Sequence, residues 1–476
     1  MKETATRKQE AIRRAGPWRS IVLTGMLVWG LSFCFLFAAS KQIFEAAAFW
    51  PTFVQALPLG LVAGGLYGWA RWGHAVLHGV RSRNQLDDEE TMGTVKTSAP
   101  ALVILPPAML GILGGGQLGS MFTVAAKTMG YGVTVLDPDP DAPAARFADV
   151  HLCQAFDDEV ALAEMASTCA AVTTEFENVN ADSMRWLAAR GVPMSPSGDC
   201  VAIAQDRIAE KTFINEAGLA TAPFLAVHTM ADLDGDLSAY LPGILKTARL
   251  GYDGKGQIRV KTAEEARAAF ASVNAACVLE KMLPLLCEVS VIVTRTRAGE
   301  KVCFPVAENE HAGGILDVSI VPARIKSEIT ERAQAMALQL AEKLNYVGVL
   351  AVEFFVLEGD ALVINEIAPR PHNSGHYTLD ATLTSQFEQQ VRAMCGLYPG
   401  KTDLVSPVVM LNLLGDVWHE DGSEPNWEIL LTAPNAKLHL YGKKEARKGR
   451  KMGHYNVLGE TADKALQQAR AIRETL

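Results

Sequence analysis

Residues 20–40 read SIVLTGMLVWGLSFCFLFAAS, with no charged side chain anywhere in the run. A helix half-exposed to water needs a polar face, and this one has none. It is long enough to cross a hydrocarbon layer about 30 Å thick. A second uncharged run, AAAFWPTFVQALPLGLVAGGLYGWA, covers residues 46–70, with Pro51 and Pro58 weakening it as a helix. Lys2, Arg7, Lys8, Arg13, Arg14 and Arg19 precede the first run, and Arg71, Arg81 and Arg83 follow the second. The positive-inside rule then predicts a transmembrane hairpin over 20–40 and 46–70 with both ends in the cytoplasm. Trp18, Trp50, Trp69 and Trp72 fall near the span ends, as interfacial anchors do. A cleaved signal peptide is the rival reading, but the first run exceeds an ordinary signal core. Residues 73–107, with DDEE, TSAP and LPP, read as a linker. A start of translation at Met92 or Met109, which would leave the hairpin out, is the other competing expectation.

The remainder has a different character. The 476 residues allow about three domains, and 49% apolar with 20% charged residues suits a large globular core. A net charge of −9 without a long basic block argues against nucleic acid as a partner. Eight cysteines at 34, 153, 169, 200, 277, 287, 303 and 395 include no C-x-x-C pair, so thiols in a reducing compartment are expected.

At 109–137 a short apolar strand runs into Gly114-Gly115-Gly116-Gln117-Leu118-Gly119, then a helix, then a strand ending in Asp137. Glycines at this spacing let backbone approach an anion at a helix N-terminus, as in dinucleotide sites. Any tight strand-to-helix turn wants the same glycines.

The stretch PGILKTARLGYDGKGQIRV (242–260) favours another nucleotide. Lys246 closes an apolar strand, and a glycine-rich loop (251–257) leads to the next one. Such a loop can fold over phosphates with its N–H groups while the lysine supplies a point charge. It lacks the G-K-[ST] of a Walker loop. Further on, CVLEKMLPLLCEVSVIVTR (277–295) is β-rich, with backbone near Lys281, Met282 and Leu283 suited to an adenine slot.

The most informative segment is VEFFVLEGDALVINEIAPRPHNSGH (352–376). Folding it about Gly359-Asp360 sets Leu357 opposite Leu362 and Glu353 opposite Glu366. Opposed like charges destabilise a sheet, so one carboxylate is neutralised or a cation lies between them. Magnesium takes one or two carboxylates plus substrate phosphates, and Glu353 with Glu366 read as its ligands.

With these pieces the chain resembles the ATP-grasp superfamily and, more closely, the 5-(carboxyamino)imidazole ribonucleotide synthases of purine biosynthesis. The motifs, over 109–476, are GILGGGQLG, TTEFENV (173–179), QDRIAEK (205–211), GYDGKGQ, FPVAENEHAGGIL (304–316), NEIAPRPHNSGHYT (365–378) and GRKMGH (449–454). Ala368, where the wider superfamily often has Asn, fits this subfamily. Departures are Ser120 in place of a usual Arg, LLCEVS in place of a more polar run, and Gly313 in place of a common Asp.

The resemblance implies a mixed α/β and α+β architecture. The hairpin and linker would occupy 1–107, a Rossmann-like domain 108–208, the ATP-grasp domain 209–396 and a small β-rich domain 397–476. It implies ATP contacts from Arg207, Lys246, Gly251, Tyr252, Asp253, Gly254, Lys255, Gly256, Gln257, Glu280, Lys281, Met282, Leu283, Glu288, His311, Asn365 and Glu366. Glu353 and Glu366 would hold Mg2+; Arg370, His372 and Asn373 would surround bicarbonate and its phosphorylated form. The ribonucleotide would meet Glu175, Tyr252, Asp253 and Lys255, with Lys443 (or Lys444) and Arg450 at its phosphate. The partners implied are 5-aminoimidazole ribonucleotide, bicarbonate and a second copy of the chain, in the cytoplasm or tethered to the inner face of the plasma membrane. A formate-using ATP-grasp transformylase and a non-catalytic, membrane-tethered nucleotide-binding protein are the competing readings.

Overall fold

The computed structural model describes residues 18–46, 48–92, 103–249, 251 and 256–476. Tyr252, Asp253, Gly254 and Lys255, all expected at the site, lie outside the described residues. The chain divides into two compact units at Pro100.

The first unit is a pair of helices. Arg19–Gly30 is wound as a π-helix and continues into the α-helix Leu31–Glu45, which ends at a left-handed Ala46 (φ 52°). The second helix, Phe49–Met92, corrects two expectations. Pro51 lies in its first turn, where no N–H is needed, and Pro58 is accommodated in its interior. The segment taken as the start of a linker is helical to Met92. No proline follows until Pro100, and Gly73 and Gly79 each cost only about 1 kcal/mol relative to alanine. The helices meet on small residues: a Cβ on Gly30 would lie 2.5 Å from the Gly60 carbonyl oxygen. Cys34 and Ala38 are fully buried in this seam, whereas Leu27, Val28, Phe35, Leu36, Leu59, Val62 and Leu66 point outward.

The described residues of the second unit form three sheets. Five parallel strands run in the order Val150–Leu152, Gly132–Leu136, Met109–Leu113, Ala171–Thr174, Met194–Ser195, a Rossmann-like arrangement. Parallel strands are buried on both faces. Helices Gln117–Thr128 and Gln386–Met394 cover one side through Phe122, Phe387 and Val391, and Glu159–Thr168 and Ala181–Ala189 cover the other through Met165 and Met184.

Four antiparallel strands, Phe224–Val227, Cys277–Lys281, Gly243–Thr247 and Gln257–Val260, form the second sheet, with helix Ala263–Val273 packed on it. The third sheet has nine strands and holds the glutamate hairpin at one edge. Its order is Leu362–Ala368, Gly348–Leu357, Leu285–Arg295, Ala307–Ala312, Ile315–Val321, Val408–Leu414, Lys451–Leu458 and Ala436–Leu440, with Lys301–Cys303 beside Leu285–Arg295. The last strands of the chain thus continue the sheet that carries the paired glutamates, through the pairing of Val318 with Leu411.

Candidate active site

Glu353 and Glu366 are direct partners across the hairpin. The route to that pairing differs from the expected one. Next to the turn Leu362 lies opposite Val356, not Leu357, and the register shifts by one between Glu353 and Phe354. Asn365 is the extra residue. A bulge of this kind bends the strand and re-aims side chains, and here it restores the opposition of the two glutamates. Burial, then the negative charge of Glu366, pushes the Glu353 carboxyl up to about 8. Burial works on Glu366 in the same sense, but Arg207, with Lys246 and Lys211, holds it below the usual carboxylate range.

One helix secures the bulged strand. In Arg207–Glu216, positions i, i+3 and i+4 share a face, and that face reaches three successive residues. Arg207 Nη1 lies 2.7 Å from Glu366 Oε2, Lys211 Nζ donates to the Asn365 carbonyl at 3.1 Å, and Ile367 N–H donates to Glu210 Oε1 at 2.6 Å. Lys211 also meets Glu280 at 2.8 Å, and Lys246 meets the other oxygen of Glu280 at 3.0 Å. Arg207 further donates to the Gly251 carbonyl (3.4 Å), at the entrance to the glycine-rich loop. Burial lowers the Lys246 pKa, and burial with the Glu366 charge raises Glu210 to about 7. The sequence reading passed over Glu210 and Lys211, although both lie in QDRIAEK at a helical spacing from Arg207.

Glu288 and His311, on adjoining strands, are 3.0 Å apart. Burial disfavours the charged imidazole, yet the Glu288 bond and charge raise the His311 pKa. His372 Nε2 stands 3.3 Å from Glu353 Oε1, and Ser374 N–H points at His372 Nδ1. With Nδ1 accepting, Nε2 is left to donate to Glu353. Burial, followed by the charges of Arg370 and Lys451, keeps this imidazole neutral. Arg370 Nε donates to Glu177 at 2.7 Å, a partner not foreseen although it belongs to TTEFENV. Asn373 is buried, and neither its Nδ2 nor its Oδ1 has a partner among the described residues. Lys281, Met282 and Leu283 follow Glu280 at the end of the strand Cys277–Lys281, with Met282 exposed.

The glycine-rich turn is satisfied from within the protein. Gly116 N–H and Gly119 N–H donate to the two oxygens of Glu175 at 2.5 and 2.7 Å, and Gly115 N–H donates to Asp137 at 2.7 Å. The anion at this helix N-terminus is a side chain, so of the two readings of these glycines the tight strand-to-helix turn is the one the structure bears out. The glycines are needed for the approach: a Cβ on Gly116 would come within 2.4 Å of Glu175 Oε1. Glu175 also faces a cavity of about 510 Å³, lined by Phe156, Phe176, Lys443, Lys444, Arg447 and Arg450 among others. Lys443 is half-buried; burial and the neighbouring Arg450 charge lower its pKa to about 8. Lys444 is more exposed and pairs with Asp141 at 2.5 Å.

The two glutamates suit a cation. Their mutual repulsion would be relieved by one; among the described residues the buried Oδ1 of Asn365, next to Glu366 in sequence, has no hydrogen-bond partner, and no group of three or more acidic, His or Cys side chains converges. Two carboxylates are the share a protein contributes to magnesium when phosphates and water complete the shell, rather than an all-protein cage.

Comparison with known proteins agrees with this geometry. Family models match in three blocks: a ribonucleotide synthetase preATP-grasp domain at 108–205, an ATP-grasp domain at 212–387 and a phosphoribosylaminoimidazole carboxylase C-terminal domain at 408–468. The N5-carboxyaminoimidazole ribonucleotide synthase of Bacillus subtilis (strain 168) is 45% identical over 368 residues, 77% of this chain and 95% of the relative. An ADP complex of an N5-carboxyaminoimidazole ribonucleotide synthetase is 43% identical, with a TM-score of 0.73 over 78% of this chain and 98% of its own. The Aspergillus clavatus N5-carboxyaminoimidazole synthase, in complex with ADP and 5-aminoimidazole ribonucleotide, is 29% identical, with a TM-score of 0.69 over 78% and 99%. On this evidence the chain belongs to the N5-carboxyaminoimidazole ribonucleotide synthase family of ATP-grasp enzymes.

Proposed function

We propose that the chain uses ATP and bicarbonate to carboxylate the amine of 5-aminoimidazole ribonucleotide, giving N5-carboxyaminoimidazole ribonucleotide, ADP and phosphate. The observation that carries this reading is the Glu353–Glu366 pair, set between the Arg207–Lys246–Glu280 charges on one side and the Arg370–His372 loop on the other. Arg207 and Lys246, with the 251–257 loop, bind the ATP phosphates. Glu353, Glu366 and the orphaned Asn365 oxygen would hold Mg2+, which neutralises phosphate charge during transfer.

A bicarbonate oxygen attacks the γ-phosphorus and ADP leaves, giving carboxyphosphate. The C–O bond to phosphorus then breaks, releasing phosphate and carbon dioxide; the amine nitrogen attacks the carbon and loses one proton. Arg370 presents a planar fork to the bicarbonate oxyanion, while Asn373 offers Nδ2 as a donor to it and Oδ1 as an acceptor for the bicarbonate hydroxyl. His372, neutral and donating through Nε2, orients Glu353 without adding charge. Glu175, with Lys443 and Arg450, borders the cavity that receives the ribonucleotide.

Phosphate release from ATP, measured with 5-aminoimidazole ribonucleotide in the presence and absence of bicarbonate, tests the activity. Bicarbonate-dependent release with carboxylated product is expected; activity with formate in its place favours the transformylase reading. The helices over 21–45 and 49–70 are long and apolar enough to span a bilayer. We read them as an anchor that leaves the catalytic unit facing cytoplasmic ATP. The catalytic unit works as a homodimer, checked by light scattering on the detergent-solubilised protein.

A further inference from the structure

Behind the bicarbonate loop lie three stacked imidazoles that the chemistry above does not use. The His376 and His454 rings have centroids 4.6 Å apart, and those of His454 and His439 are 4.5 Å apart, inclined by only 11°. They come from three segments: the loop after Arg370, the strand Lys451–Leu458, and the edge strand Ala436–Leu440, where His439 pairs directly with His454. His376 and His454 are fully buried, and the Nε2 of each has no hydrogen-bond partner among the described residues. Burial, reinforced by the neighbouring imidazoles, holds both far below the ordinary histidine pKa, so the inner stack is uncharged.

Phenylalanine would fill this volume without burying an unpartnered nitrogen. What histidine adds is the other ring edge, and each such edge leads to a segment carrying site residues. His454 Nδ1 lies 2.9 Å from the Tyr441 hydroxyl, and Tyr441 is followed by left-handed Gly442 (φ 68°) and then Lys443. His376 Nδ1 lies 3.3 Å from Gln386 Nε2. Gln386 in turn holds both backbone groups of His372: it accepts from His372 N–H at 2.9 Å and donates to the His372 carbonyl at 2.8 Å. His439 is fixed 2.8 Å from Asp380, and Asn456 donates both to Asp380 (2.6 Å) and to the His376 carbonyl (3.3 Å). A continuous path therefore joins the arm over 441–450 to the loop over 370–376.

We propose that His454 and His376 are positioning residues that keep these two segments in register, so that carbon dioxide is released only where the seated ribonucleotide presents its amine. The proposal rests on the reading that one segment binds the ribonucleotide phosphate and the other bicarbonate. Its signature is coupling: carboxylated product formed per phosphate released.

The test uses the full-length protein and two variants. Tyr441→Phe removes one hydroxyl and leaves the stack filled; His454→Ala empties its centre. Tyr441→Phe is expected to raise the ribonucleotide KM about fivefold and to drop the coupling ratio below that of wild type, with the ATP KM unchanged. His454→Ala does both more strongly, and a merely structural role would lower the amount of active enzyme without moving the ratio. Wild-type coupling and ribonucleotide KM in Tyr441→Phe would overturn the proposal, and that variant decides the matter if His454→Ala does not fold. If wild type itself gives no bicarbonate-dependent product, the activity reading fails first and takes the proposal with it.

Discussion

Glu366 is held ionised by Arg207 while Glu353, across the hairpin, is pushed up to about 8. The pair therefore carries about one negative charge at neutral pH until a cation enters. Glu366→Gln keeps the shape and removes that charge, so ATP turnover is expected to fall at least about a hundredfold. The thermal unfolding curve checks that the variant is folded. Arg370→Lys should retain charge but lose the Nε bond to Glu177 and the fork proposed for bicarbonate, so the coupling of phosphate release to product fails before ATP binding does. A third expectation concerns pH. The Lys443 amine, lowered to about 8, is charged below that pH and neutral above it. The ribonucleotide phosphate is already a dianion there, its second pKa being about 6. Hence kcat/KM for the ribonucleotide should decline as pH rises through about 8, and Lys443→Arg should remove the decline. A flat wild-type profile between about pH 7 and 9.5 would take Lys443 out of the phosphate site. The opposition of the two glutamates was legible from residue types and their spacing about a Gly-Asp turn, although the structure reaches it only through the bulge at Asn365. Glu177 was not: nothing local ties a carboxylate in the turn after the strand Ala171–Thr174 to an arginine almost two hundred residues later.

At the scale of elements, the bulge at Asn365 explains both what the sequence told and what it hid. A two-residue turn fixed the expectation that Leu357 faces Leu362, whereas the structure places Leu362 opposite Val356 and recovers the register through the extra residue. Periodicity carries no mark of a bulge; the mark lies in the helix Arg207–Glu216, whose one face holds Asn365, Glu366 and Ile367 at once. This yields a fourth prediction. Glu210→Ala leaves the buried Ile367 N–H without an acceptor, at a cost of about 1–3 kcal/mol, and frees the strand beside Glu366. The Mg2+ concentration for half-maximal turnover should rise several-fold, while Glu210→Gln, which still accepts from Ile367, stays near wild type. A magnesium titration on both variants decides, and equal behaviour would show that the bond is not what fixes the strand. The glycine-rich turn shows the converse limit. Its spacing correctly marked a strand–turn–helix around an anion, but only the fold reveals that Glu175 and Asp137 supply that anion.

On the scale of the whole molecule the chain divides into two units with opposite surface logic. In the first, glycine, alanine and cysteine fill the seam and large apolar residues face outward, the arrangement of helices that pack in lipid, where small residues let backbones approach. The second has its own sheets and cores, and every family match falls within it. Its described residues begin at Val103, ahead of the first strand. Ile104 is 7% exposed, its N–H donates to the Cys395 carbonyl at 2.9 Å, and its own carbonyl accepts from the Tyr131 hydroxyl at 2.8 Å. A chain begun at Met92 keeps all of these contacts, whereas one begun at Met109 loses a buried isoleucine worth about 1.5–3 kcal/mol together with both hydrogen bonds. The Met92 form is therefore expected to be soluble without detergent and as active as the full-length protein. The Met109 form should be less stable, with Tm lower by several degrees. Ultracentrifugation, thermal unfolding and phosphate release on the two truncated forms make the comparison. Aggregation or loss of activity in the Met92 form would mean that the boundary between the two units is wrongly drawn, because none of the residues assigned to the site precedes Met92.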